Sequence, residues 1–218
     1  MIPPRQAVAR GRSGLMIAGG ALASFAVLFA LVRTNRSAAT DAAITLRFQR
    51  HRRPFVARAM AIVSWPGFPP QSRLIPPALA ASLWLLGLRI EAVFQALAWG
   101  TSGISFFFKS IMRRPRPDRS EFRVAIARIG GSSFPSGHVL NYMGIYGFLA
   151  YLAHTLVRPK APRRMIVSGL VTLLALVGPS RVYLGHHWFT DVLASYLLGT
   201  SYLIGVTAIY RRVKAWLA

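Results

Sequence analysis

An all-α membrane bundle of about six spans is the fold class that this sequence predicts, from three observations. The chain of 218 residues is 54% hydrophobic and only 15% charged, whereas soluble domains carry about a quarter charged residues. Its mean hydropathy is +0.43. Its apolar residues gather into runs close to the roughly 17–25 residues needed to cross a hydrocarbon core about 30 Å thick. No linker-like stretch separates those runs, so residues 1–218 read as a single membrane-embedded domain.

The first run, Leu15 to Val32, is a clean span. Arg5, Arg10 and Arg12 before it and Ala38-Ala39-Thr40 after it would also suit a signal peptide. Its 18-residue core is longer than a usual signal core, which favours a retained helix. Between Thr40 and Ser64, apolar residues mix with Arg47, Arg50, Arg52, Arg53 and Arg58, and Pro54 interrupts them. This pattern predicts two short amphipathic helices in the headgroup region, with a basic surface loop as the alternative. Pro66-Gly67 and Pro69-Pro70 then make a turn. The second span, Leu74 to Leu88, carries Pro76 and Pro77, which a first helical turn tolerates. Ala92 to Phe108, Val139 to Val157, Met165 to Pro179 and Trp188 to Ile209 complete the set.

A net charge of +22 raises the question of nucleic acid. The 27 basic residues form no block or helical stripe, however. Their scatter between apolar runs points to the lipid bilayer and a phosphate-bearing membrane lipid as partners, with no nucleic acid. Cysteine is absent, which rules out disulfides and thiolate metal sites.

Alternating spans decide where the chemically active residues lie. Lys109 follows the third run, Pro135 to His138 precede the fourth, Ser180-Arg181 follow the fifth and His187 precedes the sixth. Parity therefore puts all four points on one face, with both termini on the other. Singly, a boundary histidine is more often an interfacial polar residue and a flanking arginine a topology signal. Jointly the group has what phosphoryl transfer needs. His187 and Asp191 are one helical turn apart, so the carboxylate is expected to accept the Nδ1 proton and leave Nε2 to attack. Ser136, Gly137 and His138 open a helix whose first amides suit an anion, with the His138 side chain placed to protonate a leaving oxygen. Lys109, Arg116 and Arg181 supply cations for the phosphate oxygens. His186, His51 and His154 read as structural or interfacial, and Asp118 and Glu121 as salt-bridge partners of Arg113, Arg114 or Arg123.

The order K-x6-R-P, P-S-G-H, S-R-x5-H-x3-D resembles the three-part signature of the type 2 phosphatidic acid phosphatase superfamily. All eleven defining positions are filled: Lys109, Arg116, Pro117, Pro135, Ser136, Gly137, His138, Ser180, Arg181, His187 and Asp191. The resemblance implies a six-span lipid phosphatase in which His187 forms a phosphohistidine, Asp191 is its partner and His138 the general acid. It also implies a bacterial plasma membrane with the site facing outward and the termini cytoplasmic. Phosphatidic acid, phosphatidylglycerol phosphate and undecaprenyl diphosphate are the expected substrate types. Ser195 departs from the family's usual glycine, which bears on helix packing. Rival readings are a vanadate-dependent haloperoxidase, which would be soluble, and a non-catalytic protein that binds lipid phosphate. No metal or cofactor is expected. Of five acidic residues, Asp41 and Glu91 fall outside the expected site and Asp191 is assigned to His187, while arginines surround Asp118 and Glu121.

Overall fold

The computed structural model describes residues 4–50, 53–118, 120–124 and 130–217, with side chains from residue 13 onward. His51, Arg52 and Arg119, and the side chains of Arg5, Arg10 and Arg12, lie outside the described residues. The described elements are α1 (Pro4–Arg33), α2 (Ala38–Gln49), α3 (Pro54–Ser64), α4 (Gln71–Leu85), α5 (Arg89–Ala98), α6 (Thr101–Met112), α7 (Gly137–Leu156), α8 (Lys160–Tyr183) and α9 (Phe189–Trp216). A short 3₁₀ turn, Trp65–Gly67, joins α3 to α4.

Among the described residues, three helices are long and apolar enough to cross a membrane: Ser13–Arg33 within α1, α8 and α9. The other expected spans differ for separate physical reasons. Helix α4 has 15 residues, about 22 Å at 1.5 Å per residue, short of a full crossing. Its Pro76 and Pro77 lie inside the helix rather than in its first turn. The third run is divided into α5 and α6, because the amides of Trp99 and Gly100 bond back three residues, to Ala96 and Leu97. Helix α7 has 20 residues but carries His138, Asn141 and His154, and eleven of its residues are buried within the bundle. A helix wrapped by protein need not be apolar all round.

The bundle is built around α7, which packs on α5, α6, α8 and α9. Helix α1 lies along α9, where Ser201 Oγ donates to the Ala18 carbonyl at 2.9 Å. Phe25 and Phe29 of α1 meet Phe108 and Phe134 with ring centroids 4.9–6.1 Å apart. The first apolar run is thus packed into the fold. Pro54 opens α3, where its missing N–H is not needed, so the expected division of residues 40–64 into two helices is what the structure has.

Helix ends set the site. The C-termini of α6 and α8 and the N-termini of α7 and α9 come together at one end of the bundle. At the other, Glu91 pairs with Lys214 at 2.9 Å and accepts a hydrogen bond from Tyr210 at 2.8 Å. Along α9, Lys214 is about 35 Å from Asp191 at helical rise. The α5–α6 break is held by α7: Thr101 and Ser102 hydroxyls each reach Asn141 Oδ1 at 3.0 Å. Gly144 is what lets α7 approach this break, since a Cβ there would overlap the Ala98 carbonyl and Thr101. Gly144→Ala is expected to destabilise the fold by about 1–3 kcal/mol, the usual range for overpacking. A lowered unfolding midpoint in detergent would report it, and an unchanged one would mean the helices part there freely.

Candidate active site

Three cations converge where these helix ends meet. Lys109, in the last turn of α6, donates to the Ser132 carbonyl at 3.0 Å. Arg116 is wrapped by backbone carbonyls: His186 at 2.6 Å, Gly131 and Ser132 at 3.2 Å, and Gly130 at 3.4 Å. Arg181 is fully buried and donates to Ser64 Oγ at 3.1 Å, with its guanidinium over the Phe68 ring at 4.9 Å. Ser180 and Arg181 lie inside the last turn of α8 rather than after it. A turn closed by Gly185, at φ +71°, then brings His187 back so that its amide bonds the Arg181 carbonyl at 3.3 Å.

His187 sits between two partners of opposite kind. Its Nδ1 is 2.8 Å from the Ser133 carbonyl, and its Nε2 is 3.2 Å from Arg116 Nη1. A carbonyl only accepts and a guanidinium only donates, so the proton belongs on Nδ1 and the lone pair on Nε2. That is the expected tautomer, fixed by a different group. Asp191 Oδ2 lies 3.6 Å from Nδ1, beyond hydrogen-bond length. Its carboxylate instead caps α9, accepting from the Trp188 amide at 2.9 Å, and pairs with Arg114 at 2.6 Å. Burial, with Arg116 and Arg181 nearby, pushes the His187 imidazole well below its usual pKa.

His138 begins α7 beside Gly67 of the 3₁₀ turn, where a Cβ would overlap the imidazole. Phe68 packs edge-on against the same ring, centroids 4.7 Å apart. Burial first, then Arg181, push His138 well below the usual histidine range. The Ser136 amide is given to the Asp191 carbonyl at 3.3 Å. This corrects the expected cradle of three amides, leaving Gly137, His138 and the Ser136 hydroxyl. Among the described residues, Ser136 Oγ, His138 Nε2 and Arg181 Nε and Nη2 are buried with no hydrogen-bond partner in the protein. Such groups are costly unless something polar meets them.

Several participants are illegible in the motifs. Phe68, Gly67 and Ser64 come from a segment read only as a turn. Asp41, expected outside the site, is fully buried and 2.6 Å from Arg114, and it accepts from the Thr190 amide at 2.9 Å. Arg114 turns inward to Asp41 and Asp191. His186 is buried and its carbonyl holds Arg116, and its ring is 5.9 Å from that of Phe68. Ser195, in the position where the family usually has glycine, returns its hydroxyl to the Asp191 carbonyl at 2.7 Å. Crevices of about 410 Å³ beside Arg113 and Trp188 and about 690 Å³ beside Arg47 and Arg123 exceed the 220 Å³ cavity beside His138. Among the described residues, neither larger crevice has a histidine in its lining, so chemistry rather than volume locates the site.

The model of the PAP2 superfamily matches residues 91–215, more than half of the chain. The chain belongs to the PAP2 superfamily. Phosphatidylglycerophosphatase B of Bacillus subtilis is 29% identical over 196 residues, covering 87% of this chain and 93% of that one. The crystal structure of the first transmembrane PAP2-type phosphatidylglycerolphosphate phosphatase from Bacillus subtilis superposes with a TM-score of 0.77 at 27% identity. That match covers 90% of this chain and 96% of the other. The present chain is accordingly a membrane phosphatase of the PAP2 family.

Burial and the neighbouring Arg116 lower the Lys109 ammonium to about 8. It is charged below that pH and neutral above it. Phosphate capture, read as kcat/KM of the free enzyme, is therefore expected to fall as pH rises through about 8. Lys109→Arg should carry the alkaline limb to higher pH. An identical limb in both proteins would assign the titration to another group.

Proposed function

We propose that this protein releases inorganic phosphate from a lipid phosphate at the outer face of the membrane, through a phosphohistidine on His187. Phosphatidylglycerol phosphate is the first substrate to consider, given the relatives, ahead of phosphatidic acid and undecaprenyl diphosphate. The observation that carries the reading is the set of buried polar atoms on Ser136, His138 and Arg181 that have no hydrogen-bond partner in the protein.

In the proposed reaction the phosphoryl group sits among Lys109, Arg116, Arg181, Ser136 and Gly137. The Nε2 lone pair of His187 attacks phosphorus as the bond to the leaving oxygen breaks, and His138 gives that oxygen its proton. Water then attacks the phosphohistidine, His138 takes the water proton, and phosphate leaves with Nε2 restored. The arriving dianion favours the protonated form of His138. The cations hold charge where it spreads in the transition state, and cost no reorganisation at that moment. Asp191, 3.6 Å from Nδ1, offsets the positive charge on the substituted imidazole. In this reading the leaving group takes the cavity of about 220 Å³ beside His138, bordered by Pro66, Pro69, Asn141 and Tyr146.

We propose six passes through the bilayer, by α1, α4 together with its flanking residues, α5 with α6, α7, α8 and α9, forming one domain with both termini cytoplasmic. The distance between the Glu91–Lys214 pair and His187 supports opposite faces for these two ends. The exposed Leu15, Trp84, Leu85, Phe106 and Met165 suit a lipid-facing belt.

Replacing the nucleophile tests the reading most directly. His187→Ala is expected to lower phosphate release by about 10³-fold or more, with Asp191→Asn costing less. Labelled phosphate trapped on wild-type protein, and absent from the variant, would identify the intermediate. Near wild-type turnover by His187→Ala would overturn the mechanism. The cations stand where divalent metal would otherwise neutralise phosphate. Activity is therefore expected to persist in excess EDTA, and an enzyme revived only by Mg²⁺ or Mn²⁺ would refute that.

A further inference from the structure

We propose that Arg114, clamped between Asp41 and Asp191, is a positioning residue that keeps the Asp191 carboxylate charged and fixed beside His187. The inference rests on His187 as the nucleophile. Arg114 lies outside the positions that carry the phosphatase motifs and donates nothing to the phosphate pocket. Its two terminal nitrogens each meet a different carboxylate at 2.6 Å: Nη1 to Asp191 and Nη2 to Asp41. Nη1 also reaches Thr190 Oγ1 at 2.8 Å, and Nη2 reaches Ser37 Oγ at 3.3 Å. The Trp188 ring is 5.7 Å away on a further side.

Both carboxylates are buried, and both lie at the N-terminus of α9. Asp41 accepts from the Thr190 amide at 2.9 Å and its hydroxyl at 2.7 Å, and Asp191 caps the Trp188 amide. The positive end of the helix favours both. It does not remove their mutual repulsion, which is large where water is excluded. One forked guanidinium between them does, holding both ionised at fixed places. Without it, the cheapest relief is for one carboxyl to take a proton. If that one is Asp191, the charge beside His187 is lost although every pocket cation remains. Arg114 would then act on the chemical step through Asp191, and Asp41 would be the counterweight that decides which carboxyl stays charged.

The test uses the full chain in lipid nanodiscs, following phosphate release from phosphatidylglycerol phosphate and inhibition by vanadate. Arg114→Gln is expected to lower kcat about 100-fold with KM and vanadate inhibition within about threefold, since only charge beside the nucleophile changes. Adding Asp41→Asn to that variant should restore about tenfold of kcat, a coupling of neighbours that simple loss of packing would not produce. Arg114→Lys, a single ammonium in place of a fork, should fall between. If Arg114→Gln keeps wild-type kcat, the proposal is wrong. If it loses vanadate inhibition along with kcat and Asp41→Asn restores nothing, Arg114 is a scaffold contact and the proposal is equally wrong. Failure of the underlying reading looks different: His187→Ala would then match wild type in the same assay.

Discussion

Burying positive charge without a carboxylate on each cation is the constraint on which this site depends. Arg181 is fully enclosed, and an enclosed ion left bare is strongly unfavourable. Backbone carbonyls and hydroxyls take the place of water here. Residues 130–132 and His186 turn four carbonyls toward Arg116, and Ser132 adds its carbonyl to Lys109. Carbonyl dipoles ease the charge without cancelling it, so the pocket stays attractive to an anion. A carboxylate on each cation would stabilise the empty fold better and fill the space a phosphate needs.

The same requirement shapes the loop around the site. The segment before α7 is tied across the bundle end by the Ser133 amide to the Arg114 carbonyl at 2.9 Å and the Ser133 hydroxyl to the Pro115 carbonyl at 3.0 Å. Ser133 also accepts from His187. One residue therefore fixes the His187 tautomer and anchors the strand of chain that carries Arg116. On the far side of the pocket, Gly67 and Phe68 press on His138, leaving its imidazole little freedom to turn. The two histidines are immobilised by different parts of the chain, α3–α4 for one and α6–α7 for the other. That separation lets the gap between them be set independently of either helix.

Much of this was legible in the sequence, and what was not follows a pattern. The motif residues declare themselves because their chemistry is unusual beside apolar runs, and the structure brings Lys109, Arg116, His138, Arg181 and His187 together. The division of residues 40–64 was readable because Pro54 admits few conformations. The division of the third run was not, because Gly100 is compatible with a helix and the break depends on Asn141 and Gly144 forty residues on. The fifth run reads as ending at Pro179, yet α8 continues to Tyr183. Spacing alone also put the Nδ1 proton of His187 on Asp191; two residues at one-turn separation can meet, but a carboxylate at the third helical position has a competing use as a cap. Asp41 gave a signal that went unused: in a chain of net charge +22, any acidic residue in a basic segment calls for a reason.

That scarcity of acid explains how the charges divide. Glu91 is committed to Lys214 and Tyr210 at the far end of the bundle, and Asp41 and Asp191 share Arg114 behind the site. These three carboxylates are thereby kept off Lys109, Arg116 and Arg181. The ordering is electrostatic rather than incidental to packing. An acid placed on Arg116 or Arg181 would compete directly with any anion entering the pocket, whereas one placed on Arg114 stands behind His187 and leaves the pocket positive. The α9 N-terminus makes this possible, since it accepts two carboxylates side by side provided one guanidinium lies between them. A single helix end thus holds negative charge 3.6 Å from the His187 imidazole and away from the cations, leaving the pocket open to an anion.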